Sequence, residues 1–499
     1  MTETLQHFIG GKYVAGESGR FGDVFNPSTG EVSGKLPYAT TAEVDAAVRN
    51  SQAAAEEWGK TAVPKRSAVI FKMRELMVAR REQLAEVLCK EHGKTKPDAL
   101  GEIQRGIDVV EFAAGVPHLI KGEFNSNIGG GIDLYSIRES LGVVAGITPF
   151  NFPVMIPLWM GAMAIACGNA YLNKPSERDP SAPNMLAEMW KEAGLPDGVW
   201  NVIHGDKEAV DALLHHPDVP AVSFVGSTPV GEYIYQEGSR HNKRVQAFCG
   251  AKNHMVIMPD ADMDQAVNAL VGAGYGSAGE RCMAISVAVP VGKETSERLI
   301  EKLAPAVEGL KIGAWDDPDA DINALITRQA KERVEGLIQR GVDEGAKLLI
   351  DGRGATLQGY ENGYYVGGTL FDQVTTEMEI YKTEIFGPVL SVMAPSTYED
   401  AVRMINDHEY GNGVAIFTRD GDAARSFTDQ VDVGMIGVNV PIPVPMAFHN
   451  FGGAKRSKFG DTQMHGPESI RFFTKMKTVS SRWPSGIKDG YQLAFPTND

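Results

Sequence analysis

The sequence predicts an α/β protein built from two large domains. Three observations carry that prediction. Strands and helices alternate with short connections from about residue 169, a second such series begins after Gly250, and 499 residues exceed what one ordinary core supports. Alternation with short connections implies parallel sheets covered on both faces.

In chain order, a short Gly-rich strand region comes first. Thr40 and Glu43 then form a capping box opening a helix to about Trp58. Ser67 to His92 carries apolar residues at helical spacing. Residues 129–147 begin with a Gly-Gly-Gly turn and alternate through Ile132, Leu134, Ser136 and Arg138, which predicts a hairpin arm. The first alternating series places strands at 169–173, 199–203 and 221–225, with helices at 183–193, 208–215 and 230–239. The second places strands at 255–258, 285–291 and 347–350, with helices at 263–273, 296–303 and 324–340. Near the end, 470–480 reads as a strand without a local partner. No tandem repeat or low-complexity linker interrupts the chain.

The net charge of -16 argues against nucleic acid or an anionic membrane as partner, since both are held by clustered Lys and Arg, and the basic cluster from Lys455 to Lys458 is short. Four widely spaced cysteines, without CxxC or Cys/His ligand spacing, indicate neither a disulfide framework nor a metal site. The first residues lack a basic region followed by an apolar run, so a cytoplasmic location is expected. Leu141 to Asn173 contains no charged residue and is long enough to span a bilayer. Pro149, Pro153 and Pro157 would break a lipid-exposed helix there, so a buried strand, turn and helix are expected, and no membrane contact.

Several short segments carry chemistry. Gly276-Ser-Ala-Gly-Glu-Arg-Cys-Met-Ala284 sets a thiol in a Gly/Ala-rich turn directly after an arginine. A nearby cation lowers a thiol pKa, which makes Cys282 a candidate nucleophile, although cysteine is also a common buried small hydrophobe. Asn151 lies in the proline-bounded Thr148-Pro-Phe-Asn-Phe-Pro153, where a stiffly held amide can donate to an oxyanion. Lys174-Pro-Ser-Glu177 follows a strand at the edge where α/β sheets bind ligands. Lys174 and Glu177 can hydrogen-bond the two hydroxyls of one ribose, and the carboxylate disfavours a 2'-phosphate, hence NAD over NADP. A surface ion pair is the alternative. Ser223-Phe-Val-Gly-Ser-Thr-Pro-Val-Gly231 runs from strand into a helix with Ser227 or Thr228 as cap, a start that suits a pyrophosphate or is a plain capped turn. Glu384-Ile-Phe-Gly-Pro388 reads as a tight turn after a strand. Arg105 and Arg281 are candidates for a carboxylate fork. No HExxH, GxSxG or GxxxxGK[ST] occurs, which removes zinc proteases, elbow-type serine hydrolases and P-loop enzymes.

Pro149-Phe-Asn-Phe-Pro, Lys174-Pro-Ser-Glu, Phe224-Val-Gly-Ser, Gly279-Glu-Arg-Cys and Glu384-Ile-Phe-Gly-Pro, in this order, resemble the aldehyde dehydrogenase superfamily over nearly the whole chain. Leu195-Pro-Asp-Gly-Val-Trp-Asn-Val-Ile-His-Gly205, Gly231-Glu-Tyr-Ile-Tyr235, Gly250-Ala-Lys-Asn-His-Met255 and Arg281-Cys-Met-Ala are most similar to its CoA-acylating methylmalonate or malonate semialdehyde dehydrogenases. The resemblance implies the aldehyde dehydrogenase fold, with an NAD-binding domain (1–121 and 141–251), a catalytic domain (252–462) and a β oligomerisation arm (122–140 and 463–499). It implies Cys282 as nucleophile and Asn151 with the Cys282 backbone N–H as oxyanion site. Thr148, Phe150, Lys174, Glu177, Arg178, Ser227, Cys249 and Glu384 would surround NAD, and Arg105 and Arg281 would hold the substrate carboxylate or serve CoA-dependent turnover. Coenzyme A would be the cosubstrate and a homotetramer the assembly.

Departures from the pattern matter too. Hydrolytic relatives carry Glu-Leu-Gly-Gly-Lys, whose glutamate activates water, whereas this chain has Phe248-Cys-Gly-Ala-Lys252. Without that base a thioester favours a thiol acceptor over water. Glu280 replaces a usual glutamine, placing a carboxylate where it can raise the thiol pKa or pair with an arginine. Two rivals stand beside the acylating reading: a hydrolytic NAD-dependent aldehyde dehydrogenase, and a catalytically inactive NAD-binding scaffold.

Overall fold

A computed structural model describes residues 3–483 of the chain. The last part of the expected arm, residues 484–499, lies outside the described residues.

The first large sheet has eight strands. Its five parallel strands are Val143–Ile147, Ala170–Lys174, Trp200–Val202, Ala221–Val225 and Arg244–Phe248. In space the first of these lies between the second and the fourth, so the order of winding reverses beside Val143–Ile147. Such a switch point leaves a crevice beyond the carboxyl ends of two adjacent strands, here Ile147 and Val225. The charge-free segment is the inside of this layer: Val143–Ile147, the helix Met155–Ala166 and Ala170–Lys174 are buried throughout. Among the described residues no helix is long and apolar enough to cross a membrane.

The second large sheet has seven strands, with Asn253–Ile257 between Ile285–Pro290 and Gly413–Phe417, all parallel. Only the edge strand Lys347–Ile350 runs antiparallel. A third sheet joins the hairpin Phe124–Gly129 and Ile132–Ser140 to the C-terminal strand Thr474–Arg482, which pairs residue for residue along Ile132–Ser140. Lys458–Phe459 crosses back to add an antiparallel strand to the eight-stranded sheet.

Four local expectations differ from the structure. The hairpin starts earlier than expected, at Phe124, and Val143–Ile147 belongs to the large sheet instead. The helix expected from 324 begins at Arg328, because Leu325 N–H is taken by the Tyr364 carbonyl and Thr327 caps the Ala330 N–H. The strand expected from 470 opens as the helix Gly466–Phe473, with Pro467 in its first turn and Ile470 and Phe473 three apart on a buried face. Finally, Glu384 to Pro388 follows the helical turn Glu379–Lys382 and precedes the strand Val389–Val392.

Candidate active site

A cavity of about 790 Å³ opens at the switch point and is lined by strand ends and turns of the first large sheet together with Cys282, Arg333, Glu384 and Phe386 from segments that connect the strands of the second. Thr148, Phe150 and Asn151 enter it from the turn after Val143–Ile147, and Gly226 and Ser227 from the turn after Ala221–Val225. Lys174, Glu177 and Arg178 form one wall, and Cys249, Cys282 and Glu384 close the side nearest the second sheet. The structure thus gathers ten of the twelve sequence-predicted residues around one space.

The thiol is held by a strained backbone. Ser277 (φ 54°), Ala278 (φ 51°) and Gly279 (φ 74°) are left-handed in succession, a conformation costly for the two side-chain-bearing residues. A Cβ on Gly279 would lie 2.1 Å from the Gly387 carbonyl oxygen, so the thiol turn can dock on the Glu384–Pro388 turn only with glycine there. From below, Asn253 and Asn412 both donate to the Cys282 carbonyl, at 2.9 and 3.1 Å. Of these two amides, 29 and 130 residues away, Asn253 stands in the 250–255 motif without a role assigned to it, and Asn412 stands in no motif.

Cys282 is partly exposed, whereas Cys89, Cys167 and Cys249 are buried, and all four are free thiols. Burial pushes the Cys282 thiol up to about 12, and the nearby Glu384 carboxyl adds to the rise; its own N–H, that of Met283 and Arg281 pull the other way. The expected activation by Arg281 is therefore outweighed in the ligand-free molecule. Iodoacetamide alkylation of Cys282, followed by peptide mapping, should rise about tenfold per pH unit through pH 9.5 without levelling, since only the thiolate reacts. Levelling near pH 8.5, as for an ordinary thiol, would contradict this.

Asn151 Nδ2 donates to the Glu280 carbonyl at 3.1 Å. A carbonyl only accepts, so this contact fixes which end of the amide faces the thiol turn and leaves the second N–H of Nδ2 for a ligand. The Asn151 backbone is anchored in turn. Lys94 Nζ, buried, donates to the Asn151 carbonyl at 2.7 Å and to Glu102 Oε2 at 2.7 Å. Glu102 Oε1 accepts from Val154 and Met155 N–H, at 2.8 and 3.1 Å, at the start of the buried helix. Neither Lys94 nor Glu102 was singled out from sequence.

On the opposite wall, Lys174 Nζ lies 3.6 Å from Glu177 Oε2. Burial lowers the Lys174 pKa, partly offset by Glu177. The helix Thr228–Arg240 starts at the cavity with Ser227 at its cap position, and the Ser227 side chain makes no capping bond. Thr228 Oγ1 instead accepts from Gly250 N–H at 3.0 Å, tying the helix start to the strand exit. A Cβ on Gly231 would lie 2.2 Å from Cys249 Sγ, so the helix packs directly on the Cys249 side chain. Glu384 Oε1 accepts from Ala251 N–H at 2.9 Å, and burial pushes its carboxyl up to about 7. Arg333 and the buried Lys252 donate to carbonyls of residues 380–385 and brace this turn; neither was predicted. Phe150 is set between His92 and Phe386, with ring centroids 5.8 and 5.9 Å away.

Arg105 and Arg281 do not line the cavity. Arg281 bends to an ion pair with Asp98, and Arg105 Nη1 contacts Met446 Sδ at 3.1 Å. Asp98, Glu102 and Arg105 all lie on the helix Lys96–Ala114, spaced four and three residues apart and hence along one face. Glu280 does not pair with an arginine. Its Oε1 accepts from Ile326 N–H at 3.3 Å, and burial pushes the carboxyl up to about 8, so it is mostly neutral at pH 7 and is not the negative charge beside the thiol that its position suggests. Phe248 is buried in an apolar cluster against Phe451, ring centroids 5.8 Å apart.

The aldehyde dehydrogenase family model matches residues 13–479. The chain belongs to the aldehyde dehydrogenase family. Its relatives within that family include a malonate-semialdehyde dehydrogenase from Pseudomonas aeruginosa, 54% identical over 495 residues and covering 99% of each chain. The human mitochondrial acylating methylmalonate-semialdehyde/malonate-semialdehyde dehydrogenase is 48% identical over 480 residues, covering 96% of this chain and 89% of that one. Among solved aldehyde dehydrogenase structures, a Sinorhizobium meliloti protein provisionally named methylmalonate-semialdehyde dehydrogenase, in complex with NAD, superposes with a TM-score of 0.97 at 60% identity, covering 98% and 100% of the two chains. The ordered motifs around Asn151, Lys174, Gly226, Cys282 and Glu384 are thus those of an aldehyde dehydrogenase that meet at one switch-point cavity.

Proposed function

We propose that this enzyme oxidises malonate or methylmalonate semialdehyde with NAD and passes the acyl group to coenzyme A, giving acetyl-CoA or propionyl-CoA with loss of CO2. One observation carries the acylating part: Cys282 and Asn151 share a cavity while position 248 offers a phenyl ring turned into the apolar core, with no carboxylate to activate water. The names borne by relatives at 48–54% identity support the substrate class.

The cavity residues fit a dinucleotide. The start of the helix Thr228–Arg240 offers free N–H groups and a positive dipole end, Lys174 and Glu177 suit a vicinal diol, and Phe224, Val210 and Val230 supply an apolar wall. Bound there, NAD would supply the acceptor for the hydrogen leaving the aldehyde carbon and a positive charge in the cavity that lowers the thiol pKa. The Cys282 thiolate adds to the carbonyl carbon, and the free Asn151 N–H with the Cys282 backbone N–H holds the oxygen as it becomes negative. Once the aldehyde hydrogen has left, Cys282 carries the acyl group as a thioester. The β-carboxylate departs as CO2 while the carbon that held it takes a proton, and the CoA thiolate displaces Cys282. Arg105 and Arg281 retain a proposed part in carboxylate recognition or CoA-dependent turnover; Arg281 would first have to exchange Asp98 for its new partner.

Mass spectrometry of products from malonate semialdehyde, NAD and CoA tests the proposal. Acetyl-CoA in step with NADH is expected, and free acid formed at the same rate without CoA would favour the hydrolytic reading. A second check concerns the cofactor. Glu177→Gln should raise kcat/KM for NADP relative to NAD by roughly tenfold, within the about 1–4 kcal/mol that two unit charges near 4 Å exchange at a protein surface. An unsubstituted enzyme that uses both equally would sink the ribose role of Glu177.

We further propose the division into an NAD-binding domain (1–121, 141–251), a catalytic domain (252–462) and an arm (122–140, 463–499), a cytoplasmic location, and a homotetramer. The exposed edge strand Phe124–Gly129, with Phe124 64% and Ile128 45% exposed, supports association through the arm. Four free cysteines support a reducing compartment.

A further inference from the structure

Three metal-binding side chains meet on the surface where two helices end. His215 is the last residue of the helix Lys207–His215. Glu237 lies in the last turn of Thr228–Arg240, and His241, four residues on, is the residue at its cap. Glu237 Oε1 is 3.0 Å from His215 Nε2 and 3.3 Å from His241 Nε2, and the two imidazole centroids are 4.5 Å apart. The donor atoms of all three lie within 4.8 Å of one another.

Hydrogen bonds alone account for this arrangement when each Nε2 carries a proton. The spacing has a second use. An ion with tetrahedral bonds of about 2.0–2.1 Å sets neighbouring ligand atoms about 3.3 Å apart. The Glu237–His215 and Glu237–His241 edges already lie near that value, and the third, between the two imidazoles, is within 4.8 Å, so an ion replacing the two bridging protons asks only for a small side-chain adjustment. Two imidazoles and a carboxylate are also a zinc donor set that leaves a fourth position for water. Arg240 Nη1 lies 3.1 Å from Glu237 Oε2, the other carboxylate oxygen, and leaves Oε1 to the histidines. The side chains of His215 and His241 are 49% and 41% exposed, so an ion reaches them without any opening of the fold.

We propose that His215, Glu237 and His241 form a site for a divalent transition-metal ion, with zinc as the best-matched element. The same two helices build part of the cavity: Lys207 and Val210 line it from one, and Pro229, Val230 and Tyr233 from the other. Near the cavity Tyr233 already bridges them, its hydroxyl accepting from Lys207 Nζ at 3.0 Å and donating to Asp211 Oδ1 at 2.8 Å. A bound ion joins their far ends and braces the pair.

Zinc chloride titrated into the full-length Cys282→Ser protein, so that the accessible thiol does not compete, tests the site by calorimetry and by thermal midpoint. One zinc per chain with a raised midpoint is expected. Affinity should fall at least tenfold in His215→Ala and in His241→Ala, and also in the near-isosteric Glu237→Gln. In an otherwise unsubstituted chain the His215→Ala and His241→Ala changes should leave metal-free NADH formation intact. The same stoichiometry and affinity in a His215→Ala/His241→Ala double variant would overturn the proposal, as would failure of the parent chain to bind zinc.

Discussion

Replacing Cys282 with alanine is expected to lower NADH formation by on the order of 10⁴-fold or more, while NAD affinity stays within about twofold. In the proposed reaction the sulfur is the atom on which covalent capture depends, and Cys89, Cys167 and Cys249 are all buried. The proposed cofactor contacts lie elsewhere on the cavity wall, at Lys174, Glu177 and the start of the helix Thr228–Arg240. Removing Sγ also leaves the Asn253 and Asn412 bonds to the Cys282 carbonyl in place, so the turn keeps its shape. Measured by absorbance at 340 nm and by NAD titration, appreciable turnover in the alanine variant would remove Cys282 from the reaction.

The second largest effect is expected from Lys94→Met. Lys94 and Glu102 form a buried ion pair that joins the Asn151 turn to the start of the buried helix Met155–Ala166. Removing one partner of such a pair costs about 3–5 kcal/mol, toward the lower end here because Glu102 keeps two backbone donors. The loss should also reach catalysis. With its carbonyl released from Lys94, the Asn151 turn is held less firmly against the thiol loop, where its amide meets the Glu280 carbonyl, and a tenfold to hundredfold fall in kcat is expected, below the roughly 10²–10³ of deleting an oxyanion donor outright. NAD affinity should hardly move, since Lys94 does not line the cavity. A variant with a lowered thermal midpoint but unchanged kcat would show that the pair supports the fold alone.

These two residues mark the boundary of what could be read from the chain. Cys282, Asn151 and Lys174 stand in short motifs whose local chemistry is visible, Glu384 is reached only through the family resemblance, and the alternation that builds the sheets is a period that survives without tertiary knowledge. The Thr40–Glu43 capping box forms as its pattern predicts, with both reciprocal bonds present. Lys94, Asn412 and Arg333 act across separations of 52 to 130 residues, and nothing in their neighbours distinguishes them from ordinary polar side chains. The neighbourhood of Arg281 misleads for the same reason. Adjacent in sequence to the thiol, its guanidinium travels to Asp98, 183 residues away, and burial then governs the pKa of Cys282. The segment 470–480 combines the end of a helix with a strand, and its apolar residues satisfy both periods.

Transfer of the acyl group from Cys282 to coenzyme A is tested most directly by stopped-flow absorbance of NADH with excess semialdehyde and NAD, first without and then with CoA. With no carboxylate at position 248, the thioester should accumulate. The CoA-free trace should show a burst of about one NADH per active site followed by a slow steady rate, and CoA should restore fast turnover with acyl-CoA as product. Rapid, linear NADH formation without CoA, yielding the free acid, would contradict the acylating assignment.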